Sequence, residues 1–110
     1  MKQDKSLLLQ AIGDTPRLRV IDFLITFQDF DYSLTDISEG GEVAYRTLME
    51  IWLSIEKANL VIETRKVGKS RMFKINMQNP VVKGLSAMQL KLADYFIEKE
   101  LEAKKINALT

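Results

Sequence analysis

The chain has 110 residues, 46% of them hydrophobic and 28% charged, the size and composition of one globular domain with a small core. Its 16 basic and 15 acidic residues nearly cancel, to a net charge of +1, and it contains no cysteine and no histidine. Disulfides, thiol nucleophiles, zinc sites with Cys or His ligands and imidazole acid–base chemistry are excluded together.

In chain order, a short helix is expected over residues 5–12, with Asp4 as its cap and Gly13 as its stop. Thr15 then caps a second helix, and Pro16 fits its first turn, where no amide donor is needed. Leu18, Ile21, Phe23, Leu24, Ile25 and Phe27 make that helix apolar to about Gln28. Residues 28–33 are polar and acidic and read as a loop, with Tyr32, Ser33 and Leu34 able to form a very short strand. Ser33 or Thr35 caps a third helix over residues 34–39, and Gly40 and Gly41 stop it because glycine accepts the angles of a tight turn. A longer helix over residues 43–58 carries Leu48, Ile51, Trp52 and Ile55 at helical spacing, with Asn59 in the left-handed position at its end. The period then drops to two. Leu60, Ile62 and Thr64 alternate with Val61, Glu63 and Arg65. Beyond Gly68, Phe73 and Ile75 alternate with Met72, Lys74 and Asn76, which predicts a β-hairpin. Asn79 and Pro80 open a last helix running to about Lys105.

Helix, helix, short helix, turn, helix and hairpin is the element order of a winged helix-turn-helix, an α+β fold that is mostly α. The residues also carry a family likeness. Leu34-Thr35-Asp36-Ile37-Ser38-Glu39, Val43-Ala44-Tyr45-Arg46-Thr47-Leu48 and Ile55-Glu56-Lys57-Ala58-Asn59-Leu60-Val61 resemble the core of small prokaryotic winged-helix transcriptional regulators. Asn59 stands where that pattern has glycine, and both suit the backbone position. The stretch from Thr64 to Phe73, and Asn79-Pro80-Val81-Val82, look like the archaeal branch in particular. The likeness covers about residues 15–85. It implies a DNA-binding regulator and does not point to a regulated target.

Three parts are expected: residues 1–13 as an N-terminal helix for dimerisation and packing, 14–78 as the winged helix-turn-helix, and 79–110 as a dimerisation helix. In this architecture the helix from Val43 is the recognition helix, whose first residues enter the major groove of double-stranded DNA. Ala44, Tyr45, Arg46, Thr47, Met49 and Glu50 are its candidate contacts. Arg46 is the best base reader, because its fork can bond guanine through two hydrogen bonds. Met49 fits a thymine methyl group, and Glu50 suits only a cytosine amine.

The five bases Arg65, Lys66, Lys69, Arg71 and Lys74 occur in ten residues with no acid among them. Arg65, Lys66, Lys69, Ser70 and Arg71 are therefore the candidate wing contacts, on the phosphate backbone or in a minor groove. Asp29, Asp31, Asp36, Glu39 and Glu42 form an opposing acidic stretch beside the helix-turn-helix. Val81, Leu85, Met88, Leu92 and Tyr95 recur at spacings of four and three, and Phe96, Ile97 and Leu101 continue with a drift. That stripe predicts a homodimer, with Leu8, Leu85, Met88, Leu92, Tyr95 and Phe96 at its interface.

No phosphate-binding glycine loop, nucleophile–base arrangement or metal-ligand spacing occurs, so neither enzymatic activity nor a cofactor or metal is expected. No apolar run approaches the roughly 20 residues of a membrane span. The N-terminus leads only into Leu7, Leu8 and Leu9, which is too short for a secretory signal, so a cytoplasmic protein is the default. A small effector in a dimer crevice is left open. The alternative is a winged-helix module that binds protein, favoured by the acidic helix and by the apolar residues Met49 and Leu53.

Overall fold

The computed structural model describes residues 5–109. The elements follow in the order α1 (Leu7–Ile12), α2 (Pro16–Thr26), α3 (Leu34–Gly40), α4 (Tyr45–Lys57), β1 (Val61–Val67), β2 (Ser70–Ile75) and α5 (Pro80–Leu109). The fold is mostly helical with one two-stranded antiparallel hairpin and a long C-terminal helix, as expected for a winged helix.

Local chemistry accounts for most boundaries. Ser6 caps α1, accepting from the Leu9 amide at 3.2 Å; the expected cap, Asp4, lies outside the described residues. Thr15 caps α2 by accepting from Leu18, with Pro16 at its first position. Helix α2 ends two residues earlier than expected, at Thr26. Ser33 and Asp36 form a reciprocal capping box at α3, so one acid of the acidic stretch has a local task. Asn59 takes φ 58° after α4, and Asn79 accepts from the Val81 amide at 2.8 Å to start α5.

Two expectations about backbone need correction. Gly40 and Gly41 do not end α3 through glycine's freedom at positive φ. Gly40 is still helical, Gly41 sits at φ −82°, and the left-handed residue of the turn is Glu42 at φ 55°. Gly40 is needed for space instead: a Cβ there would lie 2.2 Å from Cε1 of Phe23. Nor does β1 keep a strict period of two. Glu63 pairs with Phe73 and Arg65 with Met72, so Thr64 is an extra residue in a bulge. Cross-strand partners share a face. The bulge therefore takes Arg65 off the face of Val61 and Glu63 and puts Lys66 there, opposite Arg71.

The core lies between α2, α3, α4 and the base of the hairpin. Val20, Leu24, Ile37, Leu48, Ile55 and Phe73 are essentially inaccessible. Phe73 joins the layers: its ring meets Trp52 edge-on at 4.9 Å, and its backbone exchanges two 2.8 Å hydrogen bonds with Tyr32. Tyr32 is the very short strand expected, reduced to a single bridge. Helix α1 packs on α5 and α2 and buries Leu8 and Leu9.

Only the first half of α5 lies on the head. Val82 is fully buried, Leu85 packs against the core, and Gln89 donates to Asp22 Oδ1 at 2.6 Å. At 1.5 Å per residue the 30-residue helix is about 45 Å long, and its second half projects. The radius of gyration is accordingly 16.6 Å, against about 13 Å for a compact 100-residue domain.

Gly40→Ala should lower stability even though alanine is the better helix former. The propensity gain is at most about 1 kcal/mol. The clash with a ring held between Phe27 and Tyr32 costs about 1–3 kcal/mol. Thermal unfolding should show a lower midpoint, and Phe23→Leu in the same chain should recover part of the loss. A midpoint at or above wild type would contradict the steric account.

Candidate nucleic-acid interface

Helix α4 presents one face inward and one outward. Leu48, Trp52 and Ile55 are buried, while Ala44, Tyr45, Arg46, Met49 and Glu50 are exposed and Thr47 is half-buried. The outer face continues through Leu53 and Lys57, both exposed. Ala44 occupies the N-cap position without a side-chain hydrogen bond, so the first amides of α4 are uncapped by any local side chain. Among the described residues Arg46 is in no ion pair.

The hairpin turns tightly at Gly68 (φ 61°) and Lys69, with Val67 facing Ser70. Its cations divide into two kinds. The fork of Arg65 grips Asp31, from the loop after α2, at 2.9 and 3.1 Å, and the Thr64 hydroxyl donates to the same carboxylate at 2.6 Å. Arg71 lies over the Phe73 ring, 4.8 Å from its centre, and binds Glu56 of α4 at 2.8 Å and Glu63 of β1 at 2.7 Å. Lys66, Lys69 and Lys74 are in no ion pair among the described residues. Lys66, Lys69 and Ser70 are exposed, and Lys74 is half-buried.

The wing therefore has compensating acids after all: Glu63 on β1 itself, and Glu56 and Asp31 from elsewhere in the fold. A run of bases without a nearby acid in the sequence hides partners 15 and 34 residues away. Sequence reasoning missed Glu56, Glu63 and Asp31 in this role. Glu56 and Glu63 flank Arg71 only once α4 and the hairpin pack together. In the sequence Asp31 is only one member of the acidic stretch beside the helix-turn-helix.

A second polar cluster sits at the start of the helix-turn-helix. Asp14 accepts from Arg19 at 2.6 and 2.8 Å and from Lys5 at 3.1 Å. Arg19 also donates to the Glu42 carbonyl at 2.9 Å. The Arg19 bonds, opposed by partial burial and aided by Lys5, hold the Asp14 carboxyl well below the usual carboxylate range. A hollow of about 260 Å³ beside this cluster is lined by Asp14, Arg19, Glu42, Val43, Ala44 and Thr47. No group of three acids that could hold a metal ion occurs among the described residues.

The residues expected at a dimer interface fall into two environments. Leu8 is covered within the chain, and Leu85 and Leu92 are half-buried. Met88, Tyr95 and Phe96 are exposed, and from Asp94 to Ala108 every residue of α5 is exposed, including Ile97, Leu101 and Ile106. No helix is long and apolar enough to cross a membrane among the described residues.

No protein-family model and no curated protein matches the chain. Solved structures do. MepR, described as a transcription regulator of the Staphylococcus aureus multidrug efflux pump MepA, superposes with a TM-score of 0.64 at 12% identity, over 92% of this chain and 77% of MepR. A MepR mutant from S. aureus bound to an oligodeoxyribonucleotide gives 0.62 at 13% identity, over 94% of this chain and 80% of that one. Sso10a-2, described as a DNA-binding protein from Sulfolobus solfataricus, gives 0.52 at 7% identity, over 81% and 93%. At these identities the likeness is one of fold, and the fold is that of winged-helix transcription regulators.

The Arg65–Asp31 clamp should show itself in acid. Bonds from Arg65, then from Thr64, pull the Asp31 pKa down to about 2, from about 3.9 in an unfolded chain. A depressed folded-state pKa adds stability above the unfolded value and loses it as pH falls towards the folded one. Asp31→Asn should therefore be less stable than wild type at pH 7, and the gap should close between about pH 4 and pH 2. Chemical denaturation at stepped pH measures it; a gap that is constant down to pH 2 would contradict the ion pair.

Proposed function

We propose that the chain is a sequence-specific DNA-binding transcriptional regulator acting as a homodimer in the cytoplasm. The observation that carries this reading is the separation of the wing cations: Arg65 and Arg71 are spent within the fold, while Lys66 and Lys69 stand exposed at the tip, in no ion pair among the described residues. A hairpin that holds two lysines out on an arginine-braced base suits a phosphate backbone or a minor groove. The exposed Arg46 near the start of α4 suits the major groove, where Tyr45, Thr47, Met49 and Glu50 would flank it. Ala44 would bring the uncapped helix start near a phosphate. The likeness in fold to a MepR mutant described as bound to an oligodeoxyribonucleotide supports the reading.

The exposed end of α5 supports the dimer. Tyr95 is 53% accessible, Leu101 60% and Ile106 61%, on a helix that leaves its own domain behind. A monomer rarely leaves such a length of apolar helix in water. A second copy of α5 would cover Met88, Leu92, Tyr95 and Phe96, and a two-fold axis there would put two recognition helices on one face, reading a pseudo-palindrome. The reading is of a binding protein, not an enzyme.

The winged-helix module that binds protein is the second reading. Glu39, Glu42 and Glu50 are exposed beside the recognition face, and Leu53 is 61% accessible on it. Titration of labelled genomic fragments at two salt concentrations separates the two: no binding at low salt overturns DNA recognition and leaves the protein-binding module.

Two outcomes follow from the DNA reading. Lys66→Ala with Lys69→Ala should weaken binding to every sequence alike and lower the salt slope by about 2. Arg46→Ala should instead cost about 1–3 kcal/mol at the preferred site and little elsewhere. Sedimentation should find a dimer at micromolar protein, and Tyr95→Glu with Phe96→Glu should return it to monomer; a monomeric wild type would overturn the homodimer.

A further inference from the structure

We infer that Arg19, aimed by Asp14, is the positioning residue of the recognition helix; the inference builds on the DNA reading but is testable without it. Helix α4 has no side-chain cap of its own, because Ala44 stands at the N-cap. Its entry angle must then be set by the turn before it. That turn contains one of only two non-glycine residues at positive φ among the described residues. The other is Asn59, a residue type that tolerates the left-handed region; Glu42, at φ 55°, is not. Such a conformation persists only where the surroundings over-determine it.

The surroundings here are specific. Arg19 Nη1 donates to the Glu42 carbonyl at 2.9 Å, while Nε and Nη2 of the same guanidinium donate to Asp14 at 2.6 and 2.8 Å. One planar group therefore bridges the α1–α2 junction and the strained residue. Lysine cannot reproduce this, since its ammonium lacks the fixed fork that serves two partners in one plane. The far side of the turn is held by Ser38, whose hydroxyl donates to the Val43 carbonyl at 2.6 Å and whose carbonyl accepts from the Val43 amide at 3.0 Å. Lys5 adds a second charge on Asp14, from the segment leading into α1. Glu42 is two residues before Ala44 and four before Arg46. A small rotation of the Glu42 peptide swings the first turn of α4, the part with the base reader.

The experiment compares wild type, Asp14→Asn, Arg19→Lys and Ser54→Ala, the last removing the partner of Arg17 on the same two helices without touching the turn. Hydrogen exchange on the free protein is the first measurement. Asp14→Asn and Arg19→Lys should speed exchange at residues 41–48 by about tenfold and leave residues 61–75 unchanged. The second measurement is the ratio of affinities for the genomic fragment that wild type binds most tightly and for random DNA. It should fall about tenfold, the worth of one lost base contact, with affinity for random DNA unchanged because that rests on the wing. Ser54→Ala should do neither. Exchange that rises evenly across the head, or a turn that exchanges as in wild type, overturns the inference. So does a localised loosening with an unchanged affinity ratio. A wild type that binds no DNA overturns the DNA reading alone, since the exchange result judges the positioning of α4 by itself.

Discussion

The contact on which the rest of the molecule depends is the one between Phe73 and Trp52. Phe73 is fully buried on β2, and Trp52 is 4% accessible on α4. An edge-on aromatic pair at 4.9 Å is worth about 0.5–1.5 kcal/mol beyond the area it buries. Its larger consequence is geometric. An isolated two-stranded hairpin is barely stable in water. This one is stable because its base is nailed to α4 by a ring and to the loop after α2 by the Tyr32 backbone bridge. The indole pays a penalty: its Nε1 is buried with no hydrogen-bond partner among the described residues, at a loss of about 1–3 kcal/mol. Full burial of two aromatic side chains outweighs that loss.

The arginines of the wing make sense in the light of that joint. Arg71 closes over Phe73 and is held by carboxylates from both α4 and β1, so it seals the joint and cannot be spared for a partner. Arg65 does the same at the bulge, reaching Asp31 beside the Tyr32 bridge. Surface ion pairs contribute little to stability one at a time. Their effect here is to limit the swing of the hairpin relative to α4. On the DNA reading proposed above, a fixed angle between wing and α4 would let both meet a rigid duplex at once, with bracing left to arginine and binding to lysine. The bulge at Thr64 completes the division by bringing Lys66 onto the face of Arg71. Like charges opposite one another repel, and Glu56 and Glu63 offset this pair.

Short-range signals were legible in the sequence and long-range ones were not. Thr15, Ser33, Asn59 and Asn79 cap or terminate through bonds to residues a few positions away, and their roles could be read directly. The inward stripe of α4 follows from helical period alone. By contrast Asp31, the partner of Arg65, and Glu56, one partner of Arg71, lie far along the chain and become neighbours only through the fold. The bulge inverted the face assignment after Glu63, since alternation carries no mark of an inserted residue. Gly40 was read as a backbone device when its reason is the Phe23 ring lying over it. Composition of the outer face of α4 was legible, and its exposure agrees with the reading; what those side chains touch depends on a partner.

The two ends of the molecule then follow from one limitation of a small domain. A head of this size covers only the first half of α5, and beyond Asp94 the helix has apolar side chains but nothing of its own to bury them against. A projecting helix can be kept in register only by its root. That root is shared: Val82 and Leu85 sit on the core, Gln89 bonds Asp22 of α2, and α1 lies across both helices. Arg19 on that same α2 reaches the turn before α4. Displacement of α5 against the head would therefore also reach α4 through α2. A dimer built on α5 would be coupled by construction to the angle at which α4 is presented. Asp14, at the junction between α1 and α2, ties Arg19 of α2 to Lys5 just before α1.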